Sequence, residues 1–211
     1  GRLTLGLGAG WQEREHANYG WELLSVPERF ARFEEGLRII RHLLHEETPL
    51  DFEGVYYRLH EAELLPRPQR PGGPPILIGG NGSRRTLPLV ARYADEWNAL
   101  FIAPARFAEL SARLDELLIA KGREASDVKR SLMTGCILGR DAADLERKLA
   151  GRGRTAAELH ERGMVVGTGG QIREQLGAWA EVGVQRIMLQ WLDLDDLDGL
   201  ETLAAAVLNG N

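Results

Sequence analysis

The sequence predicts a parallel α/β fold, and three features carry that prediction. Residues 3–10 (LTLGLGAG) and 75–82 (PILIGGNG) are short apolar runs ending in glycines, as strands buried on both faces do. Past a turn or loop, each run is followed by apolar residues at the three- and four-residue spacing of an amphipathic helix. This alternation continues to the end of the chain, and alternating strands and helices build parallel sheets. Such sheets collect ligands at the carboxyl ends of their strands, where glycines let backbone N–H groups come close. Two glycine-ended strands therefore point to one shared ligand edge.

After the first strand, residues 11–24 (WQEREHANYGWELL) read as a long polar-aromatic loop, a length usually reserved for function. Ser25, Pro27 and Glu28 then form a helix start, with Ser25 as N-cap and Glu28 closing a capping box. The helix spans 26–44 and places Phe30, Phe33, Leu37, Ile40 and Leu44 on one face. Residues 48–65 read as a β-hairpin or an extended excursion around Glu53 and Gly54, because the aromatics on either side favour strand. Pro66, Pro68, Pro71, Pro74 and Pro75 make a rigid connector into the second core strand. Ser83 caps a helix over 84–95 whose first turn Pro88 makes irregular. A strand at 96–101 and a helix at 104–121 follow, the helix ended by Gly122. The fourth strand is 130–138, helices cover 141–150, 155–162 and 171–182, the fifth strand is 185–191, and 197–208 is the closing helix. Five core strands fit either a complete doubly wound sheet or the last five strands of a (β/α)8 barrel, whose full form takes about 250 residues. The chain opens on a core strand two residues after Gly1, without a Met, which suggests that something upstream is missing.

Composition excludes several classes. With 211 residues, a hydrophobic content of 44% and a net charge of -5, the chain reads as one ordinary globular domain. The acidic balance argues against nucleic acid as a main partner. The apolar runs are too short to span a bilayer, and no signal pattern opens the chain. The single cysteine, Cys136, is expected buried in its strand, and a reducing cytoplasm is the expected home.

Several motifs compete as sites. Gly6, Gly8 and Gly10 lack the third glycine that opens a helix in a dinucleotide fingerprint, so that reading is set aside. Residues 79–83 (GGNGS) join a strand to a helix N-terminus, where N–H groups and the helix dipole favour an anion, with Arg84 and Arg85 adding charge. A tight turn capped by Ser83 explains the same glycines equally well. Residues 167–170 (GTGG) form a second turn of this type, for which a structural reading leads. Trp11, His16, Tyr19 and Trp21 either stack on a planar cofactor or pack their loop, with Glu13 or His16 as proton-handling candidates. No Cys/His/carboxylate cluster fits a metal, and Asp193, Asp195, Asp196 and Asp198 read as a solvated turn.

Four segments in order, GRLTLGLGAGWQEREHANYG, ERFARFEEGLRIIRHLL, PPILIGGNGSRRTLPLVARYADEWN and VGTGGQIREQLGAWAEVGVQRIML, resemble the luciferase-like monooxygenase family, in its flavin- and coenzyme F420-dependent branch. The resemblance implies an α/β, (β/α)8 TIM-barrel-type fold. Residues 1–211 would then be one partial barrel domain of the last five strands, lacking the first three βα units. It implies an oxidoreductase or monooxygenase that transfers hydride between bound coenzyme F420, or alternatively FMN, and a small organic substrate. Ala9, Gly10 and Trp11 would meet the ring or its ribityl chain, and Gly79, Gly80, Asn81 and Gly82 the phosphate. No catalytic acid or base is identified, and no metal, nucleic acid or membrane is implied. An open arc leaves two unpaired strand edges, so a homo-oligomer is expected. The rival expectation is a non-catalytic truncated barrel fragment stabilised by self-association. Pro88 departs from the family's uninterrupted helix, and family residues on the first three strands have no counterpart here.

Overall fold

The computed structural model describes residues 1–208. The chain forms two compact units, residues 1–97 with 117–128 and residues 98–116 with 129 onward. The first unit holds β1 (Leu5–Leu7), α1 (Glu13–Tyr19), α2 (Val26–His45), the hairpin β2 (Leu50–Glu53) and β3 (Arg58–Ala62), then β4 (Ile76–Gly79) and α3 (Thr86–Tyr93). β1 and β4 pair in parallel, with Leu5 opposite Ile76 and Leu7 opposite Ile78. Leu37 of α2, Ile76 and Ile78 of β4, and Leu87 and Val90 of α3 are fully buried. Each such side chain contributes about 1.5–3 kcal/mol of burial.

The start of α2 follows from its sequence: Ser25 and Glu28 form the expected capping box, and the Ser25 N–H donates to the Glu28 carboxylate at 3.1 Å. Two turns further on, Glu35 accepts hydrogen bonds from the N–H groups of Val55, Tyr56 and Tyr57 at 2.8, 2.9 and 3.2 Å, which pins the hairpin to α2. Gly54 lies against this clamp: a Cβ there would be 2.7 Å from the Glu35 carboxyl carbon and 2.6 Å from the Phe52 ring, so a larger residue would have to displace them.

β5 (Glu96–Leu100) carries the chain from the first unit into the second. The second unit contains most of α4 (Pro104–Ile119), then β6 (Lys129–Leu138), α5 (Ala142–Ala150), α6 (Ala156–Glu161), β7 (Val165–Gly167), α7 (Gly169–Glu181), β8 (Arg186–Gln190) and α8 (Leu197–Leu208). The ten-residue β6 organises it: Ser131–Gly135 pair in parallel with β8, and Cys136–Leu138 pair in parallel with β7. Asp144 and Lys148 of α5 tie the carboxyl end of β6 to the turn before α8. The Lys148 Nζ donates to the Leu138 carbonyl at 3.0 Å and to Asp196 at 2.8 Å.

All five predicted core strands are present, and three local readings change. Residues 13–19, taken for loop, form α1; the run has no buried residue, so no apolar stripe announced it. The helix expected over 84–95 begins only at Thr86 and has Arg85, without a side-chain cap, at its N-cap. Pro88 sits at its third position, where a missing N–H costs nothing because first-turn N–H groups have no intrahelical partner. β7 is an additional strand of three residues, too short to show any period.

Candidate functional site

Because Leu7 faces Ile78 in a parallel pair, Gly8 and Gly79 leave their strands side by side. The two glycine turns singled out in the sequence therefore lie at the same, carboxyl end of neighbouring strands. Their backbones are open in different ways. A Cβ added at Gly8 or at Gly79 would meet nothing within 4 Å, so both leave free space against the main chain. Gly10 has φ +79 and Gly80 φ +132, conformations that L side chains rarely adopt. A Cβ on Gly82 would lie 2.9 Å from the Thr86 hydroxyl, so the turn folds tightly onto the start of α3. The indole Nε1–H of buried Trp97 donates to the Gly80 carbonyl at 2.9 Å and fixes the turn from below.

The β1 turn borders a cavity of about 320 Å³ lined by Leu7, Gly8, Ala9, Gly10 and His16 together with Arg29, Arg32 and Phe33 of α2. Arg29 Nη1 donates to the Gly10 carbonyl at 2.6 Å, while its Nε–H is buried and has no partner among the described residues. Arg32 Nε donates to the Tyr57 hydroxyl at 3.1 Å, and its guanidinium lies 5.6 Å from the centre of that ring. His16 Nδ1 donates to the Gln12 carbonyl at 2.8 Å, and its ring would be 3.4 Å from a Cβ on Gly10. Because a carbonyl can only accept, this bond puts a proton on Nδ1.

Of the predicted site residues, Ala9 and Gly10 line this cavity, whereas Trp11 is 77% exposed and lies outside its lining. Gly79, Gly80, Asn81 and Gly82 form the neighbouring turn and are not part of the cavity wall. Arg29, Arg32, Gly36 and Tyr57 were not singled out by the sequence reading. The signal was there: Arg29, Arg32, Gly36 and Ile40 recur at three- and four-residue spacing, a helix stripe too polar for core. The other candidates take structural roles. Thr168 and Gln171 build a capping box at the start of α7. Asp196 caps α8 by accepting from the Gly199 N–H at 2.9 Å and holds Lys148. His42 and His160 bond to the backbone carbonyls of Thr48 and Val166. Cys136 is buried, which pushes its thiol up to about 11, so it is no nucleophile at neutral pH. Among the described residues no group of three His, Cys, Asp or Glu side chains is placed to hold a metal ion, and no helix is long and apolar enough to cross a membrane.

The luciferase-like monooxygenase family profile matches residues 1–156. Over its whole length the chain is 29% identical to an F420-dependent glucose-6-phosphate dehydrogenase of Intrasporangium calvum, spanning 70% of that protein. Over 63% of its length it is 35% identical to the enzyme of that name from Kineococcus radiotolerans, and this stretch spans 38% of that protein. Among solved structures, an F420-dependent secondary alcohol dehydrogenase superposes over 98% of this chain and 70% of its own, with a TM-score of 0.79 at 19% identity. That similarity shows a shared fold: α/β, of the (β/α)8 barrel type, present here in part. The chain thus belongs to the luciferase-like monooxygenase family, an enzyme family of cofactor-dependent oxidoreductases.

Proposed function

We propose that the two adjacent glycine turns hold a deazaflavin, coenzyme F420, with FMN as the alternative, and that the protein transfers hydride between it and a small organic substrate. The parallel pairing of β1 with β4 carries the reading, because it sets both open-backbone turns at one strand edge. The residues present fit such a group. Gly8 and Gly79 leave the main chain bare, Gly80 takes a φ of +132 that L side chains rarely adopt, Gly82 packs closely on Thr86, and the turn leads into α3, whose N-terminus favours an anion. Ala9, Gly10 and Trp11 would flank the ring side, and Gly79, Gly80, Asn81 and Gly82 the phosphate. When bound, the cofactor supplies the hydride chemistry, and the protein supplies binding and orientation. Arg29 fixes the Gly10 carbonyl, and Trp97 fixes that of Gly80, so both turns are held in place beforehand.

The relatives named for F420 support the choice of cofactor. A homo-oligomer and a cytoplasmic home belong to the same reading, supported by the exposed apolar side chains Leu192, Leu194 and Leu197 and by the single buried thiol. Fluorescence titration with coenzyme F420 and with FMN tests the proposal. Saturable binding of the deazaflavin is expected; binding of neither would sink it.

A further inference from the structure

Immediately beyond the β4 turn, Arg84 and Arg85 stand exposed at the start of α3. Neither has a hydrogen-bond or ion-pair partner among the described residues. Together with Arg92 they border an open groove of about 330 Å³ between α2 and α3, whose opposite wall is Phe30, Ala31 and Glu34. The one carboxylate in the groove, Glu34, is already committed: it accepts from Arg92 at 2.5 Å and from the Tyr93 hydroxyl at 3.2 Å. Two positive charges therefore face the groove without compensation, on the side of α3 that continues from the glycine turn.

Such a groove suits a ligand that carries several negative charges in a row beyond a phosphate. FMN ends at its phosphate, whereas coenzyme F420 continues into a lactyl oligoglutamate chain with at least one free carboxylate on each glutamate. We infer that Arg84 and Arg85 bind the carboxylates of this tail and so select the deazaflavin over FMN. This inference rests on the cofactor reading above. Exposed guanidiniums make charge-assisted, two-pronged contacts to carboxylates that are individually weak and salt-sensitive. Their contribution is a preference added to whatever the glycine turn provides, not the anchor itself.

The test compares the wild-type protein with the double variant Arg84→Gln/Arg85→Gln. Both substitutions are on the surface, and a thermal melt checks that the fold is unchanged. Fluorescence titrations use coenzyme F420 carrying its glutamate tail and FMN, at low and at high salt. The variant is expected to bind coenzyme F420 about five- to tenfold more weakly at low ionic strength. It should lose less affinity for FMN, which shares only the phosphate, than for coenzyme F420, and the difference between the two cofactors should shrink at high salt. An unchanged F420 affinity, or an equal loss for both cofactors, overturns the tail assignment while leaving the glycine-turn site standing. Wild-type protein that binds neither cofactor overturns both.

Discussion

At the residue scale, Gly10 shows how closely the backbone of the β1 turn is specified. It sits at φ +79, with the His16 ring on one side and the Arg29 guanidinium on its carbonyl. Gly10→Ala must place a Cβ in the left-handed region and press it against His16, so stability should fall by about 1–2 kcal/mol in urea unfolding. The glycine was visible in the sequence, but its partners were not, because Arg29 lies nineteen positions away and reaches it only through the return of α2. A second residue-scale prediction concerns acid. Asp144 accepts from the Arg140 N–H and from Arg147, with the charges of Lys148 and Arg140 adding to this, and these hold its carboxyl down at about 2, from the ordinary 3.8. A carboxylate depressed in the folded state stabilises fully above its unfolded value. That stability is lost as pH falls through the folded value. Acid unfolding should therefore show a component between about pH 4 and pH 2 that Asp144→Asn removes, and denaturation at a series of pH values reads it.

At the scale of elements, α2 is the piece on which the first unit depends. Its buried Leu37 has no exposed surface, and Leu37→Ala should cost about 2–5 kcal/mol, measured by denaturant unfolding. The bounds of this helix were legible almost to the residue, since its cap and first-turn proline agree, whereas of the predicted apolar stripe only Leu37 is buried and the other buried residue, Ile39, lies outside it. The places that were less legible have physical reasons. α1 has no buried face and follows a glycine-rich strand end, so its seven residues carry no hydrophobic period. β7 has three residues, all buried, and no strand alternation can be read from three positions. The start of α3 moved because Arg84 and Arg85, which look like the first residues of a helix, remain in the turn that the tight packing of Gly82 on Thr86 creates.

At the scale of the whole chain, the strand-helix rhythm predicted parallel α/β architecture, but five strands by themselves fitted two architectures. The order of four sequence segments favoured the barrel type, and the superposition on known structures agrees. The two glycine turns, about seventy residues apart in sequence, are neighbours because β1 pairs with β4 across two intervening helices and the hairpin. In the function proposed above, that pairing makes one cofactor site out of two separate motifs, and the proposal can be tested directly. In a titration of isotope-labelled protein with coenzyme F420, backbone amide resonances report which turn meets the ligand. The amides of Gly8, Gly10, Gly79, Gly80 and Gly82 are expected to shift together with one dissociation constant. Shifts confined to one of the two turns, or centred instead on the turn at residues 167–170, would contradict the account.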